Sequence, residues 1–403
     1  MFATDVPTTV PFLTGSLRPC NVRSNLHRGE MITEKVRLEV LTTPSNGDGV
    51  RRQIEKTIET NRTRFDFVMK QLPHMETAIE TLQNGHGDLL AMSAHQWKDL
   101  AHEGLTVVGV LPRREPTWVL VSDDKPEYLQ SKAIVVCDHV LLRRQMRRSR
   151  ADLILMESQA FADSISKGPV FAALEPEDRT SWLEEQRQKE TLDGYIVSRG
   201  KHADLKFKAR RHTLGLQREN PERTHFIPPP LHGFTLLVSR SGFPSASVQS
   251  MCDNGAYLSH RMEAAFLASI PEELHGITGI FVEQRKIAAI LREANRSEDD
   301  QTLEGVLDIN KKIKIAGPRL EMRMETLNHS GTVTAGAERV CPVEESHMGM
   351  VNVLREFHIL LDMMLNEHPE IPRQHIGLPE EFSMARPPLL DLTTVHSASS
   401  EEE

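Results

Sequence analysis

A lysine and an aspartate stand side by side at Lys98 and Asp99, shortly after an apolar run of strand length. An aspartate so placed can stabilise a developing cation and take part in proton transfer. Adjacent residues in a loop after a strand need not face each other, so an ion pair that only stabilises the fold is the alternative interpretation. The bulky Trp97 beside the pair favours that alternative.

Five arginines follow one another closely in an acidic chain, and their forked donors suit carboxylates and phosphates. They are Arg143, Arg144, Arg147, Arg148 and Arg150. At helical spacing three of them share one face and the other two lie beside it. The pattern predicts a solvated helix face, a cleft that binds carboxylates, or a patch that meets RNA or an acidic partner. A second basic run, Lys206–Arg218, is open to the same interpretations.

The histidines and cysteines show no spacing typical of a metal site, so no metal is expected. The histidines considered are His95, His102, His232 and His275. The cysteines lie far apart at Cys20, Cys137, Cys252 and Cys341, without a CxxC pair. This usage argues against a disulfide framework and favours a reducing compartment.

The composition is that of an ordinary globular protein with room for two or three domains, since 39% of its 403 residues are hydrophobic. The net charge of -9 argues against a protein that coats nucleic acid as a whole. No apolar run reaches the length of a membrane span. Residues 1–34 are rich in Pro, Thr and Arg, and resemble an organellar transit segment as much as a disordered tail. A mitochondrial location is therefore one expectation, and a cytoplasmic one is the other.

Alternating strand-like and helix-like stretches predict an α/β fold. Gly49–Asn61, for example, has the pattern of a helix that Asp48 could cap. We expect one domain from residues 35–125 and 226–244, because a Pro-rich strand crosses back to it. A second domain of the same kind is expected over residues 126–225.

The pattern changes after residue 245 and predicts a small α+β third domain over residues 245–367, which begins and ends with amphipathic helices. Within it, the polar residues 292–310 are predicted to be an inserted loop. Lys312–Gly317, of sequence KIKIAG, is predicted to be a strand. Residues 368–403 are predicted to be a disordered tail.

The order of several short motifs between about Lys35 and Glu367 resembles the porphobilinogen deaminase (hydroxymethylbilane synthase) family. The family's VHSLKDLP is similar to AHQWKDLA around Lys98, and its GL…REDP…ALVS is similar to Gly104–Ser122. Its GTSSLRRQ…RPDL is similar to Cys137–Leu153. The resemblance implies that family's fold, in which two periplasmic-binding-protein-like α/β domains enclose a cleft and a small third domain follows.

The resemblance also implies roles for single residues. Enzymes of this family join four porphobilinogens on a dipyrromethane cofactor that a cysteine holds covalently. By position, Asp99 is the aspartate that stabilises pyrrole-derived cations, with Lys98 beside it. Arg143 and Arg144 are two of the arginines that bind the carboxylates of the growing chain.

Several functional positions of the family are filled differently in this sequence. The cofactor cysteine's position falls on Leu274 without gaps or on His275 with one, and neither can form the thioether. Glu157–Ile165 supplies none of the arginines that the family has there, and each lost forked contact would cost on the order of 1.5–3 kcal/mol of carboxylate binding. No dipyrromethane cofactor is therefore expected.

These departures predict a degenerate family member that has lost tetrapyrrole synthesis. We expect a binding or scaffolding subunit of a larger mitochondrial assembly, and the basic runs allow an RNA-containing one such as a ribosome or its maturation intermediates. Two alternatives stay open. One is an active hydroxymethylbilane synthase with atypical cofactor anchoring, and the other is a module that binds an anionic small molecule in the cleft.

Overall fold

The computed structural model describes residues 35–44, 47–100, 103–114, 116–205, 208–218 and 224–365. The predicted tails, residues 1–34 and 368–403, lie outside this part. Thirteen strands occur in the described residues: β1 Val36–Thr42, β2 Phe65–Gln71, β3 Leu89–Ser93, β4 Leu105–Val110, β5 Trp118–Ser122, β6 Ile134–Val136, β7 Ile154–Met156, β8 Gly194–Ser198, β9 Arg211–Leu214, β10 Thr235–Arg240, β11 Thr278–Arg285, β12 Arg319–Leu327 and β13 Thr334–Pro342.

Twelve α-helices connect or cover these strands in the same described ranges. They are α1 Val50–Asn61, α2 Met75–Gln83, α3 Ala94–Lys98, α4 Val140–Ser149, α5 Ser158–Ser164, α6 Gly168–Ala172, α7 Asp178–Gln188, α8 Arg199–Asp204, α9 Asn254–Ala268, α10 Ile287–Arg296, α11 Asp300–Val306 and α12 Ser346–Leu365. None of them is long and apolar enough to cross a membrane.

The first two sheets share one design, in which a single antiparallel strand is inserted into a parallel sheet. The first sheet has the order β2-β1-β3-β10-β4, and the second has the order β7-β6-β8-β5-β9. Strands β3 and β8 are buried at every position, which explains their continuous apolar sequences. Strand β10 is antiparallel to β3 and β4, and β5 is antiparallel to β8 and β9. The predicted fold class, two α/β domains with a small third domain, is confirmed.

The third sheet is antiparallel, with the order β11-β12-β13. From Arg319 to Thr326, its middle strand β12 alternates between charged and uncharged residues. Leu320, Met322 and Met324 lie in one core cluster with Phe266 of α9 and Phe357 of α12, and residues of the first sheet belong to the same cluster. The first and third sheets therefore share one apolar core, while the charged side chains of β12 point to its other face.

Two local predictions in the third domain are wrong. Residues 292–310 are not a loop, because they contain the end of α10 and all of α11. Ile290, Ala294 and Val306 bury an apolar stripe of these helices, and the side chain of Asp299 caps α11. The stretch KIKIAG is not a strand either, since its only pairing is an isolated bridge from Ile313 to Leu307.

Candidate functional site

The Lys98–Asp99 pair lies at the exposed end of α3, a helix of five residues. Ser93 caps this helix by accepting from the backbone N–H of Gln96, and the Gln96 side chain accepts in return from the backbone N–H of Ser93. This reciprocal cap explains why a glutamine can stand where the family motif has a serine. The backbone N–H of Asp99 donates to the backbone oxygen of Trp97, whereas its carboxylate is exposed and has no hydrogen bond or ion pair within the described residues. Its catalytic role stays a prediction.

The position that the resemblance assigns to a cofactor cysteine lies next to this pair if one gap is allowed. Lys98 Nζ is 3.5 Å from Nδ1 of His275, and the other ring nitrogen of His275 lies 3.2 Å from the backbone oxygen of Ile270. Leu274 is completely buried in the core that the first and third sheets share. Lys98 therefore contacts His275, one of the two positions that the resemblance assigns to the cofactor cysteine, while Leu274, the other, is a core residue.

The described cysteines offer no replacement for that attachment point. Burial raises the pKa of the Cys137 thiol to about 12 and that of Cys252 to about 11. Burial raises the pKa of Cys341 as well. Since the thiolate is the nucleophile, all three are poor candidates for a covalent link to a cofactor. Cys20 lies outside the described residues.

Three arginines of α4 bind the hairpin that joins β12 to β13. The side chain of Arg144 is 1% exposed, and its Nη1 donates to the backbone oxygen of Leu327 at 2.6 Å. Arg147 Nη1 donates to the backbone oxygen of His329 at 2.9 Å. Gly331, at φ +75°, has no room for a Cβ, which would lie 2.4 Å from the backbone oxygen of Arg144. The hairpin therefore packs directly on the helix backbone, and the interpretation of this helix as a solvated face is wrong for Arg144.

Arg148 joins the same contact through a buried carboxylate. Its Nη1 donates to Oε2 of Glu325 at 2.6 Å, the ring of His225 approaches that oxygen to 2.8 Å, and Gln145 donates to Oε1 at 3.1 Å. Burial alone would raise the pKa of Glu325. The hydrogen bonds from His225 and Arg148 outweigh burial and hold that pKa below its ordinary value.

The remaining arginines of the predicted anion site also have partners within the chain. Arg143 binds the backbone oxygen of Cys137 and the carboxylate of Glu157, and Arg150 binds Asp152 together with two backbone oxygens. Binding of a carboxylate or of RNA by this run would have to compete with these contacts. Such binding stays a prediction, and the contacts argue against it.

The second basic run is divided between two environments. Lys206 lies outside the described residues, and Arg211 begins the edge strand β9. Arg218 reaches the third sheet, where it pairs with Glu321 at 2.8 Å and with Glu283 at 3.2 Å. The end of this run thus holds the second and third sheets together.

An aromatic cluster that the sequence did not reveal runs between the first two sheets. The ring of His95, on α3, lies 6.3 Å from that of His232. His232 lies 5.3 Å from Trp118, the first residue of β5, and Trp118 lies 5.5 Å from His139, which precedes α4. The sequence offered two signals: CDHV, which contains His139, stands where the family has GTSS, and Leu231-His232-Gly233 stands where it has GQG. The cluster therefore connects α3 and the segment before β10 with β5 and the residue that precedes α4.

Two polar atoms of this cluster are buried without a partner. Neither Nε1 of Trp118 nor Nδ1 of His139 has a hydrogen bond within the described ranges. Burial lowers the pKa of His139 to about 4 and that of His232 to about 3, and it also lowers the pKa of His95. The rings are therefore neutral at pH 7, and a buried polar group without a partner costs about 1–3 kcal/mol unless a ligand satisfies it.

A buried ion pair fixes the two crossing segments between the first two sheets. Arg113 lies on the segment from β4 to β5, and His232 lies on the segment from β9 to β10. Arg113 donates to the backbone oxygen of His232 and to both carboxylate oxygens of Glu263 on α9. Its guanidinium lies 3.9 Å from the centre of the Phe234 ring and 4.8 Å from that of Phe281. One side chain therefore joins both crossing segments to the third domain.

No group of three or more His, Cys, Asp or Glu side chains that could hold a metal ion occurs in the described part of the chain. No protein-family model matches the sequence, and no curated protein matches it.

Several solved structures resemble the fold weakly. Lipoprotein Tp32 from Treponema pallidum is 12% identical over 56% of this chain and 95% of its own, with a TM-score of 0.30. The methionine binding protein MetQ is 13% identical over 57% and 93%, also with a TM-score of 0.30. The aliphatic sulphonate binding protein SsuA from Escherichia coli is 14% identical over 67% and 77%, with a TM-score of 0.28. Likenesses of this strength carry no argument about what this chain binds.

Proposed function

We propose that this chain is a non-catalytic relative of porphobilinogen deaminase that serves as a binding or scaffolding subunit of a larger assembly. The observation that carries the proposal is the placement of Arg144. The resemblance assigns this arginine to the carboxylates of a substrate, but its guanidinium is buried and binds the chain's own hairpin at Leu327. An arginine used in this way cannot also bind a growing pyrrole chain unless it gives up its hydrogen bond to the third domain.

The cofactor position supports the same proposal. His275 contacts Lys98 where a cysteine would have to carry the dipyrromethane, and burial raises the thiol pKa of each described cysteine. A covalent cofactor therefore has no suitable attachment atom among these residues.

The first experiment is intact mass spectrometry of the purified chain before and after incubation with porphobilinogen, with hydroxymethylbilane assayed in the same tube. We expect an unchanged mass and no product, while an active synthase treated in parallel gains mass and forms product. A pyrrole adduct with released product would overturn the proposal in favour of an active synthase with atypical anchoring. In that case Asp99→Ala should abolish turnover.

The assembly itself is proposed to be mitochondrial, because residues 1–34 resemble a transit segment, and the basic runs allow RNA as one of its components. Purification of the chain from its own cells, with and without ribonuclease, tests this step. Recovery of the monomer alone, with neither protein nor RNA bound, would refute the scaffold role.

A small-molecule binding module is the second candidate, and the unpartnered atoms of Trp118 and His139 favour it. A ligand with acceptor oxygens would satisfy the Trp118 N–H. Titration with acetate, succinate and citrate should then raise the unfolding free energy saturably, by about 2.7 kcal/mol at a hundredfold excess over the dissociation constant. Trp118→Phe should reduce this gain and Trp182→Phe should not. A flat titration with all three acids would remove this candidate.

A further inference from the structure

The third sheet has an exposed edge at β13. This strand pairs with β12 over nine residues and has no other strand beside it in the described sheet order. The opposite edge strand, β11, is mostly buried, whereas Thr334, Gly336 and three consecutive residues from Glu338 are exposed on β13. An exposed strand edge of this length is usually covered or blocked, because its free N–H and C=O groups pair readily with another segment.

The helix beside this edge exposes apolar side chains as well. Helix α12 buries Gly349, Val353, Phe357 and Leu361 against the sheet. A neighbouring stripe at three- and four-residue spacing exposes Met348, Ile359 and Met363, each by more than half. A shallow groove of about 430 Å³ runs between this stripe and β13.

Two arginines in the groove differ from the others around this sheet. Arg339 of β13 and Arg355 of α12 are exposed and make no hydrogen bond or ion pair within the described residues. Arg285, Arg323 and Arg218, by contrast, all pair with Glu321. The groove thus combines a free strand edge, apolar side chains and two exposed arginines, against a single acid, Glu356, in its lining. It suits an extended segment that carries apolar residues and a carboxylate.

The sequence that follows α12 contains such a segment. Residues 366–403 follow directly after α12 and contain eight acidic and two basic residues. Within them, Leu389–Val395 reads LLDLTTV, which has the β-branched and apolar residues of a strand around Asp391. The linker from Leu365 to Leu389 can extend to about 80 Å, whereas the whole of α12 is about 30 Å long. Tethering also gives the segment a local concentration of the order of millimolar.

We propose that Leu389–Val395 of the same chain adds to β13 as a fourth strand, with Asp391 facing Arg339 and Arg355. Backbone hydrogen bonds to the strand edge supply affinity in this mode of binding, and alternate side chains supply selectivity. Leu389 and Val395 then cover the apolar stripe of α12 on either side of the carboxylate. This inference does not depend on the proposed function.

Hydrogen exchange of the full-length chain tests the proposal. We expect the outward amides of Thr334–Pro342 and the amides of Leu389–Val395 to be protected together. The double variant Arg339→Glu/Arg355→Glu should speed exchange at both segments by about tenfold or more, while β11 and β12 keep their protection. Adding Asp391→Arg to that variant should restore protection, because the charge pair is then reversed rather than removed.

The control is Arg292→Glu, which reverses an exposed arginine of α10 that has no partner among the described residues. It should leave both segments protected. Fast exchange at Leu389–Val395 in the unaltered chain would overturn the proposal. So would protection that depends on protein concentration, because the strand would then come from a second copy.

Discussion

At the scale of single residues, the carboxylate of Glu263 is a group whose burial needs full compensation by hydrogen bonds. It is completely buried and accepts four hydrogen bonds: two from Arg113 and one each from the backbone N–H groups of Leu231 and Val282. Burial raises the pKa of Glu263, and the Arg113 guanidinium and these N–H groups oppose that rise. A buried pair of this kind contributes little beyond an apolar replacement, but removal of one partner leaves an uncompensated charge.

We therefore predict that Glu263→Gln lowers the free energy of unfolding by about 3–5 kcal/mol, because Arg113 remains buried without a counter-charge. Urea unfolding followed by circular dichroism measures the change. The matched control is Glu185→Gln, which breaks the exposed pair with Lys189 and should shift stability by less than about 1 kcal/mol. Equal effects of the two substitutions would contradict the prediction.

At the scale of elements, α4 is fixed by a strand that follows it by more than 150 residues. Arg148, His225 and Gln145 converge on Glu325 of β12, so a single carboxylate joins the helix and the segment before β10 to the third sheet. The pKa of Glu325 is lowered by these hydrogen bonds in spite of its burial. An acid with a lowered pKa in the folded state stabilises that state above its unfolded pKa, and the contribution disappears as pH falls through the folded value.

We predict that Glu325→Gln lowers the free energy of unfolding by about 1.5–3 kcal/mol at pH 6, since charge-assisted hydrogen bonds are lost. The difference from the unaltered chain should shrink once pH falls below about 4.3, the usual value of an unfolded glutamate. Urea unfolding of both proteins between pH 6 and pH 3 measures this difference. If the difference in unfolding free energy between the two proteins stays constant from pH 6 to pH 3, Glu325 does not cause the pH dependence.

At the scale of the whole molecule, the third sheet is attached to its two neighbours by different forces. It shares a continuous apolar core with the first sheet, which includes Met92 and Phe357. It meets the second sheet mainly through charged and backbone hydrogen bonds from α4 and Arg218. Arg113 also clamps both crossing segments to α9. A cleft that closes on a ligand needs crossing segments that can rotate, and here both are held to α9.

The sequence predicted the elements that depend on local pattern. The α/β alternation, α4 and the two amphipathic helices at the ends of the third domain all have periodic apolar residues, and the structure contains them. Helix α10 has an apolar stripe of Ile287, Ile290 and Ala294 at helical spacing, but the predicted loop began in the middle of it, and α11 was missed because it buries only Val306. KIKIAG has the two-residue alternation that is typical of a strand. It does not form one, because its only pairing is the isolated bridge to Leu307.

The contacts of the candidate site could not be predicted, since they depend on residues far apart in the chain. Arg144 and Leu327 are separated by 183 positions, and His95 meets Trp118 only through His232 on the returning segment. Helical spacing correctly placed Arg143, Arg144, Arg147 and Arg148 on α4, but it was wrong for Arg150, which lies just beyond the end of the helix in a non-helical conformation. It could not show that a hairpin from the third sheet, rather than solvent or substrate, lies against them.

The alternation of β12 has a consequence for how this gene can change. Arg319, Glu321, Arg323 and Glu325 face one side of the sheet, and Leu320, Met322 and Met324 face the other. Loss or gain of one codon within this strand would exchange the two faces beyond that point, sending carboxylates and guanidiniums among Phe266 and Phe357. The length of β12 therefore cannot change by a single residue without exchanging its two faces, whereas residues 308–318, which follow α11 and belong to no helix or strand, can lengthen or shorten.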